Sequence, residues 1–292
     1  MNPPVGIIGV GLLGTALAER MLAGGYAVLG YDANPARLDH LRALRGAGAV
    51  SPTAIAERCD TIVLCLPDSR TVGEVVCALG DALRPGMLLV DATTGDPEDT
   101  VALAAALRGR GIGYFDATLV GSSEQVRRGQ GVVLLGGDPA DASRAEPVLR
   151  TWSERRFHVG PAGSGARMKL VVNLVLGLNR AVLAEGLSLA RAVGIDPQAA
   201  LEVLRATPAR SAVMETKGPK MVAGDFTPQA RLAQHRKDVG LIRQLARRAG
   251  ALVPLSDVHE ELLRRAVELG LGEADNSAIL RAFEPPLPAA DD

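Results

Sequence analysis

A glycine turn at the junction of an apolar run and a helical stretch limits this chain more than any other feature. Val5 to Val10 reads as a strand and Leu13 to Leu22 as a helix, with Gly9, Gly11 and Gly14 spaced G-x-G-x-x-G across the junction. Each glycine meets a separate steric demand. Gly9 permits the tight turn, Gly11 lets a diphosphate approach the backbone, and Gly14 lets the helix pack closely on the strand. The start of such a helix presents unpaired N–H groups and a partial positive charge, so an anion can be held there without a side-chain cation. Gly9, Val10, Gly11, Leu12, Leu13 and Gly14 are therefore expected to cradle the diphosphate of a dinucleotide. Asp32 ends the next apolar run, Ala27 to Tyr31, where a carboxylate accepts hydrogen bonds from the adenosine ribose and repels a 2′-phosphate. That predicts NAD in preference to NADP. Arg37, on the following helix, has two readings: it reaches a phosphate, which tempers that preference, or, as the favoured reading, it belongs to a solvated face.

The junction opens a repeating pattern. Further strands are expected at Thr61 to Leu66, Met87 to Asp91, Gly113 to Ala117, Val132 to Leu135 and Arg156 to Val159. Helices fill the gaps at Pro35 to Leu44, Thr71 to Leu79, Pro97 to Arg108 and Pro139 to Thr151, three of them with proline at the first helical position. Such alternation builds a parallel, doubly wound sheet of Rossmann type, an α/β domain over residues 1–162. After the hinge Gly160-Pro161-Ala162-Gly163-Ser164-Gly165 the strand signals stop, and residues 163–292 read as an all-α domain. Its helices are expected at Ala166 to Val193, Pro197 to Ala206, Ser211 to Ala223, Gln229 to Arg248 and Ser256 to Glu268, and the tail after Phe283 has little to order it. The first of these is apolar almost all round and must be covered by other helices or a second subunit, which predicts a homo-oligomer, at least a dimer.

Composition narrows the function classes. With 32 Lys+Arg against 33 Asp+Glu, no bulk positive field exists to gather a nucleic acid, so no nucleic-acid partner is expected. Cys59, Cys65 and Cys77 are odd in number and form no C-x-x-C pair, which argues against a disulfide framework or a zinc site and suits the cytoplasm. The apolar start lacks a basic leader, and the apolar stretch Leu170 to Ala190 is interrupted by Asn173, Asn179, Arg180 and Glu185, so neither export nor membrane insertion is expected. No metal motif is present.

A dinucleotide fold does not name a reaction, but later segments are more specific. Cys65-Leu66-Pro67-Asp68, Val90-Asp91-Ala92-Thr93-Thr94 and Asp116-Ala117-Thr118-Leu119-Val120-Gly121-Ser122 follow successive strands; then come Gly163 to Asn173, Lys237-Asp238 and Asp275-Asn276-Ser277-Ala278. In this order they resemble the β-hydroxyacid dehydrogenase family, which includes 3-hydroxyisobutyrate dehydrogenases and semialdehyde reductases, over about Val5 to Ala278. The resemblance implies an NAD-dependent oxidoreductase of small β-hydroxy acids or their semialdehydes. The pattern G-x-G-x-x-x-K-x-x-x-N falls on Gly163, Gly165, Lys169 and Asn173, which implies Lys169 as the catalytic acid/base and Asn173 as a substrate-positioning residue. Lys237 matches a lysine near the nicotinamide and substrate. Leu66, Pro67 and Thr94 match loop positions that contact the cofactor, and Gly121 with Ser122 matches the loop that holds the substrate carboxylate. That loop usually reads Asp-Ala-Pro-Val-Ser-Gly-Gly, whereas here Val120 stands for the serine and Ser122 for the second glycine. Three readings stay open: Ser122 or Ser123 takes over the anion contact, backbone alone grips the acid, or the substrate lacks that carboxylate.

The residues themselves agree with this assignment. Lys169 and Asn173 are four apart and so share one face of a helix. A lysine on an otherwise apolar helix is expected to lose hydration, which tunes it towards neutral pH and lets it move protons both ways. Two alternatives carry the same fold: an imine reductase, against which a lysine at this position counts, and a non-catalytic sensor of the nicotinamide pool. His40, His158, His235 and His259 read as structural or surface residues.

Overall fold

A computed structural model describes residues 2–284; the tail expected to lack order lies outside the described residues. The chain divides into two compact units, residues 1–169 and 170–292, with the division inside one long helix, shortly after the glycine-rich hinge at which the sequence places it.

In the first unit β1 (Val5–Ile8), β2 (Val28–Tyr31), β3 (Ala47–Gly48), β4 (Thr61–Leu64), β5 (Leu88–Asp91), β6 (Gly113–Val120), β7 (Val132–Gly136) and β8 (Arg156–Gly160) form one sheet in the order 3-2-1-4-5-6-7-8. The helices between them are α1 (Leu12–Ala23), α2 (Pro35–Ala43), α3 (Pro52–Ala56), α4 (Ser69–Leu79), α5 (Pro97–Arg108), α6 (Ser123–Arg127) and α7 (Pro139–Trp152). Asn34, Asp68, Asp96 and Asp138 each accept a backbone N–H in the first turn of the helix that follows, which fixes where α2, α4, α5 and α7 begin. Alternate residues of the strands enter opposite cores: Ile7, Val63 and Val90 one, with Leu17, Phe115 and Trp152, and Ile8, Ile62 and Leu89 the other, with Ile55 and Leu79. Burial on both faces explains why these strands are continuous apolar runs. Strand order reverses between β2 and β4 on either side of β1, which opens a crevice at the carboxyl ends of β1 and β4.

The sheet departs from the expected parallel arrangement at one strand, for β7 runs antiparallel to β6. Between them only the five-residue α6 intervenes, and a parallel return needs a crossover of about a dozen residues or more. The short β3 and α3 carry too few residues to show a period and were not expected.

The second unit is helical: the body of α8 (Ser164–Ala192), then α9 (Pro197–Ala206), α10 (Ala212–Thr216), α11 (Gly218–Ala223), α12 (Leu232–Ala249) and α13 (Pro254–Glu268), closed by a 3₁₀ stretch, Asn276–Phe283. One helix expected over Ser211 to Ala223 is two, because Pro219 has no N–H to continue α10 and instead opens α11. The start expected at Gln229 moves to Leu232, since the Gln229 and Ala230 N–H groups donate to Asp275. Leu183, Ala184 and Leu187 of α8 pack with Leu201, Met221, Val239, Leu263 and Ile279. By length and composition α8 could cross a membrane, yet these side chains form the core of a helical bundle, while Val182, Leu189 and Val193 are exposed.

Candidate active site

The glycine turn has the sterics that its spacing implies. Gly9 has φ +96°, and a Cβ there would stand 2.2 Å from the Cys65 carbonyl oxygen; a Cβ at Gly14 would stand 1.9 Å from the Gly9 oxygen. Only hydrogen fits at either place. Above Gly11 the space is open, the nearest atom to an added Cβ being Arg37 Nη1 at 3.9 Å. Gly11 is also the N-cap of α1, and among the described residues no side chain caps that helix start. An open hollow over an uncapped helix N-terminus fits a diphosphate. Val10 is buried beneath it, Leu13 packs on the core, and Leu12 is exposed.

Asp32 ends β2 as expected, but its carboxylate is engaged. Oδ2 accepts from the Val10 N–H at 2.8 Å and Oδ1 from the Asn34 N–H at 2.9 Å, while Arg37 Nη1 lies 3.2 Å and 3.3 Å from the two oxygens. Arg37, read from sequence as a solvated residue, is thus half exposed and paired.

The loops after β4 and β5 are tied together beside this turn. The Leu66 N–H donates to Thr93 Oγ1, the Thr93 N–H to Asp91 Oδ1, and the Tyr114 hydroxyl to Asp91 Oδ2 at 2.6 Å. Burial pushes the Asp91 carboxyl up, against those hydrogen bonds, and pushes the Tyr114 hydroxyl well above its ordinary value. Pro67 is exposed and Thr94 half-buried on the same loops.

The start of α8 is stitched to β6 by three side chains. Asp116 accepts from the Gly163 N–H (2.8 Å) and the Ala166 N–H (2.7 Å), Thr118 Oγ1 donates to the Gly165 oxygen, and Lys169 Nζ donates to the Leu119 oxygen. Lys169 is only 9% exposed. Burial raises Asp116 to about 6, opposed by the two N–H groups that favour its charged form. At the far end of β6, Gly121 has φ +136° and Ser122 caps α6, accepting from the Gln125 N–H while the Gln125 side chain accepts from the Ser122 N–H. The Ser122 oxygen is therefore committed to the helix cap, leaving its proton to donate. Ser123 is buried beneath.

The second unit carries its own polar group. Asn173 Nδ2 donates to Asp238 Oδ2 at 2.9 Å, and Lys237 Nζ lies 3.1 Å from Asp238 Oδ1, so one buried carboxylate holds both residues singled out from the sequence. Asp238 itself reads from the sequence as structural. Further along α8, His235 and His259 pack over Gly177, their rings 5.2 Å apart, and Asp275 accepts from Lys217. Burial, with Arg180 adding to it, lowers His259 to about 4. His40 faces Glu19 at the surface and His158 meets the Gly137 oxygen. Among the described residues no group of His, Cys, Asp and Glu could hold a metal ion.

Three residues that organise these groups escaped the sequence reading. Asp116 has no role legible in the sequence because its partners lie far along the chain, Asp238 reads there as structural, and the favoured sequence reading of Arg37 is a solvated face. Only Asp238 had a usable signal, its adjacency to Lys237.

Two family models cover nearly the whole chain: the NAD-binding domain of 6-phosphogluconate dehydrogenase over residues 4–160, and the NAD-binding domain of NADP-dependent 3-hydroxyisobutyrate dehydrogenase over residues 163–283. Among curated relatives, glyoxylate/succinic semialdehyde reductase 2 of Arabidopsis thaliana is 28% identical over 96% of this chain and 79% of its own. L-threonate dehydrogenase of Cupriavidus necator is 28% identical over 97% of both chains. The solved structure of 3-hydroxyisobutyrate dehydrogenase from Salmonella typhimurium superposes with a TM-score of 0.89 at 26% identity, covering 96% of this chain and 99% of the other. Fold, glycine turn and motif order thus agree with these matches, and the chain belongs to the β-hydroxyacid dehydrogenase family of NAD(P)-binding oxidoreductases.

Proposed function

We propose that this protein transfers a hydride between NAD and a small β-hydroxy acid or its semialdehyde, with Lys169 as the general acid/base. The observation that carries the reading is the amine of Lys169, nine-tenths buried on the first turns of α8 and held at the carboxyl end of β6 by the Leu119 oxygen. An amine in such surroundings can take the hydroxyl proton during oxidation and return it to the carbonyl oxygen during reduction. The nicotinamide, when bound, supplies or accepts the hydride. The chain's own residues then have separate duties. Gly9 to Gly14 bind the diphosphate through backbone, and Leu66, Pro67 and Thr94 line the cofactor.

Asn173 and Lys237, both oriented by Asp238, position the substrate. Asn173 gives its Nδ2 to Asp238, and its amide oxygen is the acceptor assigned to a substrate hydroxyl. Gly121, Ser122 and Ser123 take the acid group, Ser122 by donating its proton. Asp32 supports NAD as the better cofactor. Three free thiols suit the cytoplasm, and exposed Val182, Leu189 and Val193 on α8 support a second copy of the chain as the partner that covers them.

Replacing Lys169 by Met tests the reading. Turnover of C3 to C5 hydroxy acids or semialdehydes, followed at 340 nm, should fall by about a hundredfold or more, while NADH fluorescence titration shows binding intact. Retention of more than about a tenth of wild-type turnover removes lysine acid/base chemistry.

A further inference from the structure

We propose that the helical unit holds one small monovalent anion, a halide such as chloride, against Arg180 of α8 and His259 of α13. The site lies wholly within residues 170–292 and does not depend on the chemistry assigned to Lys169.

Arg180 follows Gly177 by three residues, so the two share one face of α8. That face is buried against α12 and α13: a Cβ on Gly177 would stand 2.6 Å from both His235 Nε2 and His259 Cε1, and Arg180 is 7% exposed. Arg180 Nε and Nη1 are buried and have no hydrogen-bond acceptor among the described residues, and neither does His259 Nε2 have a partner. A guanidinium carries only donors. Folded proteins leave few such groups unmet, an ordered water or ion being the usual partner where side chains do not serve.

Charge decides between water and ion. The carboxylate whose charge acts on Arg180 is that of Asp275, which is fully buried and already committed. Its Oδ1 accepts from Lys217 Nζ at 2.8 Å and from the Ser277 N–H and hydroxyl; its Oδ2 accepts from Lys217 Nζ at 2.9 Å and from the Gln229 and Ala230 N–H groups. The roughly four acceptor positions of a carboxylate are therefore filled, and Lys217 balances its charge. Burial lowers Arg180 to about 10, with Asp275 opposing, so the guanidinium stays charged at neutral pH. Two buried cations thus share one buried carboxylate, and one positive charge is in excess. Water would meet the donors but leave that charge uncompensated in a medium that solvates it poorly. A monovalent anion meets both demands, whereas a divalent one would invert the imbalance and a metal ion would be repelled. His259, lowered to about 4 by burial and by Arg180, is neutral at that pH and can offer Nε2–H as a further donor.

The test is urea denaturation of the full chain at pH 7 and fixed ionic strength, with chloride replacing gluconate, an anion too large for a buried site. An anion that binds only the folded state lowers the unfolding constant, and wild type should show a fall of at least about threefold between about 0.01 and 0.3 M chloride. Arg180→Met, which removes the charge and keeps the aliphatic stem, should change by less than about 1.5-fold over the same range. Anomalous scattering from wild-type crystals soaked in bromide should place one ion within hydrogen-bond reach of Arg180 and His259, and this measurement decides the matter if Arg180→Met does not fold. A wild type indifferent to chloride, a variant that keeps the wild-type dependence, or no bromide beside Arg180 overturns the proposal. A bromide seen in crystals without the dependence in solution is an adventitious ion only and overturns it equally.

Discussion

Replacing Asp116 by Asn should flatten one limb of the stability–pH profile. The carboxyl is 1% exposed, and its pKa rises from 3.8 in the unfolded chain to about 6 in the fold. The folded state therefore holds the proton more tightly, so stability increases as pH falls through 6, reaches its full gain below 3.8, and is withdrawn as pH rises through 6 again. A shift of this size corresponds to about 3 kcal/mol in total, of which about 1.4 kcal/mol develops between pH 7 and pH 5. At pH 7 the substitution has two opposed consequences. It removes a desolvated charge, but an amide can accept only one of the Gly163 and Ala166 N–H groups and turns its NH₂ towards the other, leaving a donor unpaired at about 1–3 kcal/mol. The slope carries one effect only. The assay is urea denaturation of wild type and variant at pH 7 and pH 5, read as a double difference so that every other titrating group cancels. A variant that tracks wild type, with a double difference below about 0.5 kcal/mol, would refute the buried, α8-capping carboxylate.

Two further perturbations probe other parts of the structure. His259 is lowered to about 4 from 6.5, so the unfolded chain binds its proton first and stability falls as pH drops from 6.5 towards 4, by about 3 kcal/mol in all; His259→Gln should lack this acid-side loss in thermal melts, and an unchanged loss contradicts it. Gly14→Ala puts a methyl 1.9 Å from a backbone oxygen that cannot move aside. It should cost about 3 kcal/mol or more and weaken NADH binding, and a loss below about 1 kcal/mol by calorimetry would show that the turn has room to spare.

Much of the nucleotide half of the site is legible along the chain because its logic is local. Gly9, Gly11 and Gly14 are recognised by their spacing within a single turn, where Gly14 stands against the Gly9 oxygen, although Gly9 also backs on the Cys65 oxygen from another strand, and Lys169 and Asn173 share a helix face by spacing alone. Asp116 is different: its partners are Gly163 and Ala166, 47 and 50 residues on, a separation that leaves no periodic trace. Asp238 reaches Asn173 across 65 residues. The role of Ser122 was open in sequence for a related reason, since a serine three residues before Gln125 reads equally as a ligand contact or a helix cap, and the capping box is what formed.

The main strands and helices of the sheet domain, the glycine turn and the family resemblance are legible in the sequence itself, because apolar periodicity, helix caps and glycine spacing operate over a few neighbouring residues. Tertiary structure alone decided the antiparallel return of β7, the stitching of the α8 start to β6 through Asp116 and Lys169, and the occupation of Asp32 by Arg37. Each depends on which groups a folded backbone brings within hydrogen-bond range, and a hydrogen bond is sensitive to tenths of an ångström that no one-dimensional pattern encodes.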